Sequence, residues 1–340
     1  MRFNKRIIPA LCSIVTMVIL ILDSKTALAG VAEGIDLCLK VVIPSLFPFL
    51  ILSTVLTEST FGMSLRFLWP MCRLCRIPDG AAPLLLVGLI GGYPVGARCV
   101  TQAWQNGQLT ANDARRMLGF CSNVGPAFIF GMTSCLFRSP LVPWVLWMVQ
   151  IGAILVTGHL LPGGTSNTMV SRQHRSISPS AAIHQAIGAM ASICGWVIVF
   201  RIAITFFDRW ILVFLPPTGQ CLAVGIMELT NGCCRLGSIS SESLRFLLCS
   251  VFLSLGGIGV YMQTLSVTQE LGTGSYLCGK LLQTGIAAML ALAICPALFP
   301  SDPTCFPAQI LLPAVATVAI LAKILINKKN NSRNPAAQSV

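Results

Sequence analysis

Polar residues interrupt the apolar sequence at a few points, and these hold the residue types that could do chemistry. The first is Gly91-Gly92-Tyr93-Pro94-Val95-Gly96-Ala97-Arg98, which follows an apolar run over 81–90 and precedes Thr101 and Gln102. The second is Ser122-Asn123-Val124-Gly125-Pro126, and the third is Glu228-Leu229-Thr230-Asn231-Gly232. A glycine pair, Gly256-Gly257, follows with Gln263 behind it, and Pro44-Ser45 with Pro48 marks a further break upstream. Glycine and proline interrupt helices and free backbone amides and carbonyls. Inside hydrocarbon such backbone persists only where protein buries it or a watery cavity faces it. The chemistry suggested is coordination of a small polar solute.

Each candidate has a plainer alternative. The Gly91–Gly96 stretch is either a binding-site break or a point of close helix packing, since small residues let backbones touch. Tyr93 is either a ligand or a residue of the interfacial aromatic belt. Arg98 can ligate an anion or point to headgroups. Ser122 and Asn123 can coordinate a solute or satisfy carbonyls freed by Pro126. Glu228 is the best candidate for proton or cation coupling, because a carboxylate in a low-dielectric cavity can carry a proton. Its alternative is a structural partner for Arg98, Arg201 or Arg235. Thr230, Asn231 and, after the second glycine pair, Gln263 extend the polar surface. Pro44 and Ser45 shape a kink or touch the ligand. The pattern suggests no metal or cofactor: Cys72 and Cys75 form a lone CxxC, and His159, His174 and His184 lack ligand spacing. No Ser-His-Asp order or acidic pair is visible, so an enzyme is not expected.

The elements that must position these residues are membrane helices. The 340 residues are 55% hydrophobic and 10% charged, with mean hydropathy +0.79, against about 25% charged in soluble domains. Cytosolic, secreted and nucleic-acid-binding classes fall away together. The formal net charge of +12 is spread over short loops and both ends, as positive-inside loops and anionic lipids require. The 15 cysteines sit mostly in apolar runs, where they act as small hydrophobes rather than a disulfide framework. The fold expected is all-α and polytopic, with about eight to ten membrane segments that include discontinuous or re-entrant helices.

Residues 1–30 read as an N-terminal membrane helix with a cytoplasmic start. Ala27-Leu28-Ala29 resembles a signal-peptidase site, but an uncleaved helix is the favoured reading. Residues 31–162 form a first repeat, 163–180 a polar linker, 181–300 a second repeat, 301–327 a C-terminal membrane helix and 328–340 a basic cytoplasmic tail. Phe61–Ile77, with Arg66, Arg73 and Arg76 among aromatic residues, suits a helix lying in the interface. Thr110 reads as a helix cap with Asp113 at the third helical position. Arg201 either snorkels or pairs with Asp208. The glycine pairs at Gly91 and Gly256 can be laid over each other, as can Pro44–Phe49 and Gly195–Phe200. Interrupted apolar segments at matching places in two halves point to a transporter-like site between repeats, expected to be inverted.

Ile43–Leu56, Gly91–Arg98, Leu118–Phe130 and Gly225–Gly232 resemble the sporulation integral membrane protein YlbJ family, one of the gate, or nucleoside-recognition, group of membrane domains. The resemblance runs from about Glu33 to Lys280. It implies a multi-pass cell-membrane protein needed for spore cortex formation, with no securely assigned substrate. A transporter-like protein moving a small polar solute, nucleoside-like or other, is the first expectation. A non-transporting scaffold for cortex assembly is the alternative. Expected partners are membrane lipids, the solute, other sporulation membrane proteins and a second copy in a homodimer; nucleic acid is not among them.

Overall fold

The computed structural model describes residues 7–60, 65–78, 80–163, 178–268 and 270–302. All regular structure among them is helical. In chain order the helices are α1 (Ile7–Leu22), α2 (Ser24–Leu37), α3 (Ile43–Thr60), α4 (Trp69–Leu74), α5 (Ala82–Ile90), α6 (Val95–Gln105), α7 (Ala111–Leu118), α8 (Pro126–Thr133), α9 (Val142–Leu160), α10 (Pro179–Trp210), α11 (Pro217–Met227), α12 (Leu229–Arg235), α13 (Glu242–Leu255), α14 (Gly257–Val267) and α15 (Gly274–Leu298). A π-helical turn, Cys38–Val42, joins α2 to α3 without a break. Among the described residues, five stretches are long and apolar enough to cross a membrane: Ser24–Leu56, Val142–Leu160, Pro179–Trp210, Glu242–Val267 and Gly274–Leu298. The chain is a helical integral membrane protein. The expected C-terminal membrane helix and basic tail, and most of the polar linker, lie outside the described residues.

The long helices pack through small residues, as membrane helices do. Gly30 and Gly34 set α2 against α10, where an added Cβ would come 2.9 Å from Ile202 Cα and 3.0 Å from Ile198 Cα. This crossing brings Glu33 to Arg201, and the two form an ion pair. Asp208 is taken by Arg235 instead. The expected Arg201–Asp208 pair therefore does not form: seven residues along a helix is about 10 Å, whereas α2 presents Glu33 directly across the contact.

Two pairs of short helices fold back as hairpins. At α5–α6 the turn is Gly91-Gly92-Tyr93-Pro94, with Gly92 at φ +79°, a conformation glycine adopts at little cost. At α11–α12 the turn is Glu228, and the arms touch where Gly225 meets Gly232. α5 has nine residues and spans about 14 Å, half of a hydrocarbon core about 30 Å thick. The segment after α7 crosses the first hairpin, its Cys121 carbonyl lying over Gly88 and Gly96. Between α13 and α14 Gly256 and Gly257 both sit at φ +76°, so one apolar stretch becomes two helices. α13 then packs on α9 and α15, and α14 on α6, α10 and α11.

The order long helix, hairpin, broken segment, long helix occurs twice: α3 to α9, then α10 to α15. Gly91 lies in the turn of a hairpin, and Gly256 lies where one apolar stretch breaks into two helices.

The interfacial stretch holds a 3-10 turn, Arg66–Leu68, followed by α4. Phe67 and Trp69 are exposed, with the Arg73 guanidinium 5.2 Å from the Trp69 ring. Residues 61–64 lie outside the described residues. Thr110 caps α7 as expected, accepting the Asp113 amide. From α7 the buried Arg116 donates to the carbonyls of Cys75, Gly158, Arg76 and Leu161. It thereby ties the end of α4 to α9. Arg116→Met leaves these oxygens without their donor, at an expected cost of about 3–5 kcal/mol. Arg73→Met should cost under about 1 kcal/mol, since only an exposed ring contact is lost. Thermal unfolding of the two variants in detergent checks the contrast.

Candidate functional site

The two hairpin tips border one cleft. This small cleft is lined by Tyr93 from the first tip and by Glu228, Leu229 and Thr230 from the second. Val124 and Gly125 of the crossing segment and Val260 and Gln263 of α14 also border it. The remaining wall is apolar: Val42, Leu46, Phe128, Ile193 and Val197. Most of the surface is therefore greasy, with a few polar groups converging on it, the usual composition of a small-molecule site.

Glu228 is in extended conformation (φ −151°, ψ 128°) and caps α12 with its own side chain. Its Oε1 accepts the Thr230 amide at 3.0 Å, and its Oε2 accepts the Asn231 amide and Asn231 Nδ2 at 2.7 Å each. Freed helix N–H groups are a ready anion cradle, and here a carboxylate fills it. Asn231 Oδ1 accepts from Arg201 at 3.0 Å, so Glu228 is linked through Asn231 and Arg201 to Glu33. Glu228 is only 3% exposed, and Gly259 lets it lie against α14, where a Cβ would come 3.2 Å from its Cγ. Gly257 fits against the Glu228 amide in the same way.

Tyr93 stands between the cleft and the core. Its hydroxyl lies 3.0 Å from the Ser254 carbonyl and 3.1 Å from that of Leu253, both in the last turn of α13. Gly256 leaves room for the ring: a Cβ there would sit 3.4 Å from Tyr93 Cζ. Behind the ring, Lys280 Nζ donates to the Tyr93 hydroxyl at 3.2 Å, to Asn123 Oδ1 at 2.8 Å and to Gln283 Oε1 at 2.7 Å. Asn123 is oriented for this, because its Nδ2 donates to the Gly88 and Phe120 carbonyls.

Of the residues singled out in the sequence, Tyr93, Glu228, Thr230 and Gln263 line the cleft, with Gly92, Asn123, Asn231, Gly256 and Gly257 packed around it. The others lie elsewhere. Arg98 donates to Gln185 Oε1 at 2.9 Å and to the Gln185 carbonyl at 3.1 Å, joining α6 to α10. Ser45 donates to the Val41 carbonyl within its own helical run. Gly91 ends α5, Pro94 precedes α6, and Gly96 is a packing point against Cys121. Ser122 Oγ is buried with no partner. Among the described residues no cluster could hold a metal ion, and no cysteine is in a disulfide. Burial pushes the Cys75 thiol up to about 12, so it stays protonated and is a poor nucleophile.

The chain is similar to the sporulation integral membrane protein YlbJ of Bacillus subtilis (strain 168). The two are 32% identical over 133 residues, 38% of this chain and 30% of that protein. The match supports the resemblance carried by the sequence motifs. The matched stretch spans less than a third of YlbJ. No family model and no solved structure matches the chain.

Sequence reasoning missed Lys280 and Gln283. Lys280 lies six residues beyond the start of α15, where a lysine reads as an interfacial anchor. The available signal was the i, i+4 and i, i+3 spacing of Tyr276, Lys280 and Gln283, which puts a cation and two polar side chains on one face of an apolar helix.

Proposed function

We propose that the chain is a sporulation membrane protein, required for spore cortex formation, that moves a small polar solute through the cleft between its hairpin tips. The observation that carries this reading is that Tyr93 and Glu228 line the same cleft. They lie far apart in sequence, at the turns of two half-length hairpins, and they border one cleft. Irregular backbone at membrane depth is expected beside a cavity. Discontinuous helices around such a site are the usual architecture of alternating access. The rigid parts would be the long helices, and the moving parts the hairpins with the jointed α13–α14 pair. The similarity to YlbJ adds sporulation as the setting.

The test is uptake by liposomes containing the purified full chain, with a panel of nucleosides, nucleobases, metal ions and cell-wall precursors. Saturable uptake of at least one compound, and spores lacking cortex when the gene is deleted, are the expected results. If no compound in the panel binds or moves, transport loses its support and the scaffold reading takes its place.

A further inference from the structure

Lys280 is 1% exposed and lies within a stretch long and apolar enough to cross the membrane. An ionisable side chain at such a depth is costly and tends to be functional. Among the described residues it has no carboxylate partner within ion-pair distance. Its surroundings are neutral: three oxygens accept from it, and the Tyr93 and Tyr276 rings lie 5.0 and 6.0 Å from Nζ. A buried charge with no counter-charge is stable only while its hydrogen bonds are complete. Beside it Gln283 Nε2 is buried without a partner, so the cluster holds a polar atom available for a second arrangement.

We propose that Lys280 is a proton-carrying group, and that Tyr93 transmits its charge state to the Gly256-Gly257 joint. This deepens the transport reading and rests on it. In the charged state Nζ gives its three hydrogens to Tyr93, Asn123 and Gln283, while the Tyr93 hydroxyl gives its one hydrogen to the last carbonyls of α13. Release breaks one N–H bond. The proton passes to a water molecule, which becomes hydronium, and the electron pair stays on Nζ. The amine keeps two hydrogens for Asn123 and Gln283. Its new lone pair accepts a hydrogen bond from the Tyr93 hydroxyl, whose O–H stays intact and turns away from the Leu253 and Ser254 carbonyls. The bond between the first hairpin tip and α13 is lost two residues before the glycine joint. Reprotonation restores it.

Other titratable groups near α15 are engaged or uncharged. Cys121 faces Lys280 from the crossing segment, and Tyr276 and Tyr93 are the neighbouring phenols. On α7, Arg115 donates to the Leu271 carbonyl and Arg116 to those of Cys75 and Gly158. On α13, Arg245 binds the Leu136 and Ile239 carbonyls, Glu242 accepts from the Arg138 amide, and Cys249 is buried. On α9, His159 Nδ1 is held by the Leu74 carbonyl.

The experiment uses the full chain in nanodiscs, with lysine side chains labelled at 15N, over a pH series in which the protein stays folded. One lysine resonance, missing from Lys280→Gln, should titrate. Amide exchange over residues 253–257 should rise about fivefold as it loses its proton, the effect of one hydrogen bond. Tyr93→Phe should keep the titration and make exchange there pH-independent, which leaves the idea testable if Lys280→Gln does not fold. A resonance that does not titrate, or a pH effect on exchange that survives Tyr93→Phe, overturns the proposal. Titration without any solute uptake would remove the transport reading and keep the proton site. Uptake with a silent Lys280 would do the reverse.

Discussion

Gly96→Ala should prevent the protein from accumulating in folded form. A Cβ at this position would lie 1.7 Å from the Cys121 carbonyl oxygen and 2.8 Å from its carbon. Both belong to main chain, so no side-chain rotation relieves the overlap. The crossing segment is pinned as well, since Asn123 Nδ2 donates to the Gly88 and Phe120 carbonyls. The cost should exceed the roughly 1–3 kcal/mol of ordinary overpacking and consume much of a stability of about 5–15 kcal/mol. Gly88→Ala meets the same carbonyl at 2.4 Å and should behave alike. Gly188→Ala is the control: nothing lies within 4 Å of the added carbon in α10, and alanine favours a helix over glycine by up to about 1 kcal/mol. Monodisperse yield after detergent extraction should collapse for the first two and hold for the third. Normal yield of Gly96→Ala would mean that the segment does not cross the hairpin as described.

The same glycines show what the sequence could reveal. Gly91–Gly96 announces a break, and the structure has one; the sequence does not say that Gly92 supplies the turn while Gly96 supplies the crossing. Burial and conformation at a glycine leave no trace in residue type. Thr110 was legible because a cap depends on residues three apart. The all-helical, membrane-embedded class was legible because hydropathy sums over long windows. The partner of Arg201 was not, because Glu33 reaches it through the packing of α2 on α10. Arg98 looked like a ligand from its place after the glycine turn; on α6 it points to Gln185 instead. Glu228 stood out as a carboxylate in apolar surroundings, yet its role as the cap of α12 needed the hairpin. Lys280 stayed hidden because its three acceptors come from a hairpin tip, a crossing segment and its own helix.

Glu228→Gln should abolish uptake by the reconstituted protein at modest cost to stability, whereas Glu228→Ala should lose both. The carboxylate accepts three N–H groups. The glutamine amide oxygen can retain those on one side, but its NH₂ then faces a donor where Oε2 accepted two. Some rearrangement of Asn231 follows, and its link to Arg201 weakens. Alanine leaves the two amides of α12 and Asn231 Nδ2 buried and unpaired, at about 1–3 kcal/mol for each group that water cannot reach. Removing the negative charge also leaves Arg201 balanced by Glu33 alone. The two variants therefore separate capping from chemistry. Circular-dichroism melting should place glutamine near the native protein and alanine well below it, with neither moving solute. If Glu228→Gln transports at the native rate, the carboxylate serves only to cap α12, and the cleft must take its solute through Tyr93, Thr230 and Gln263.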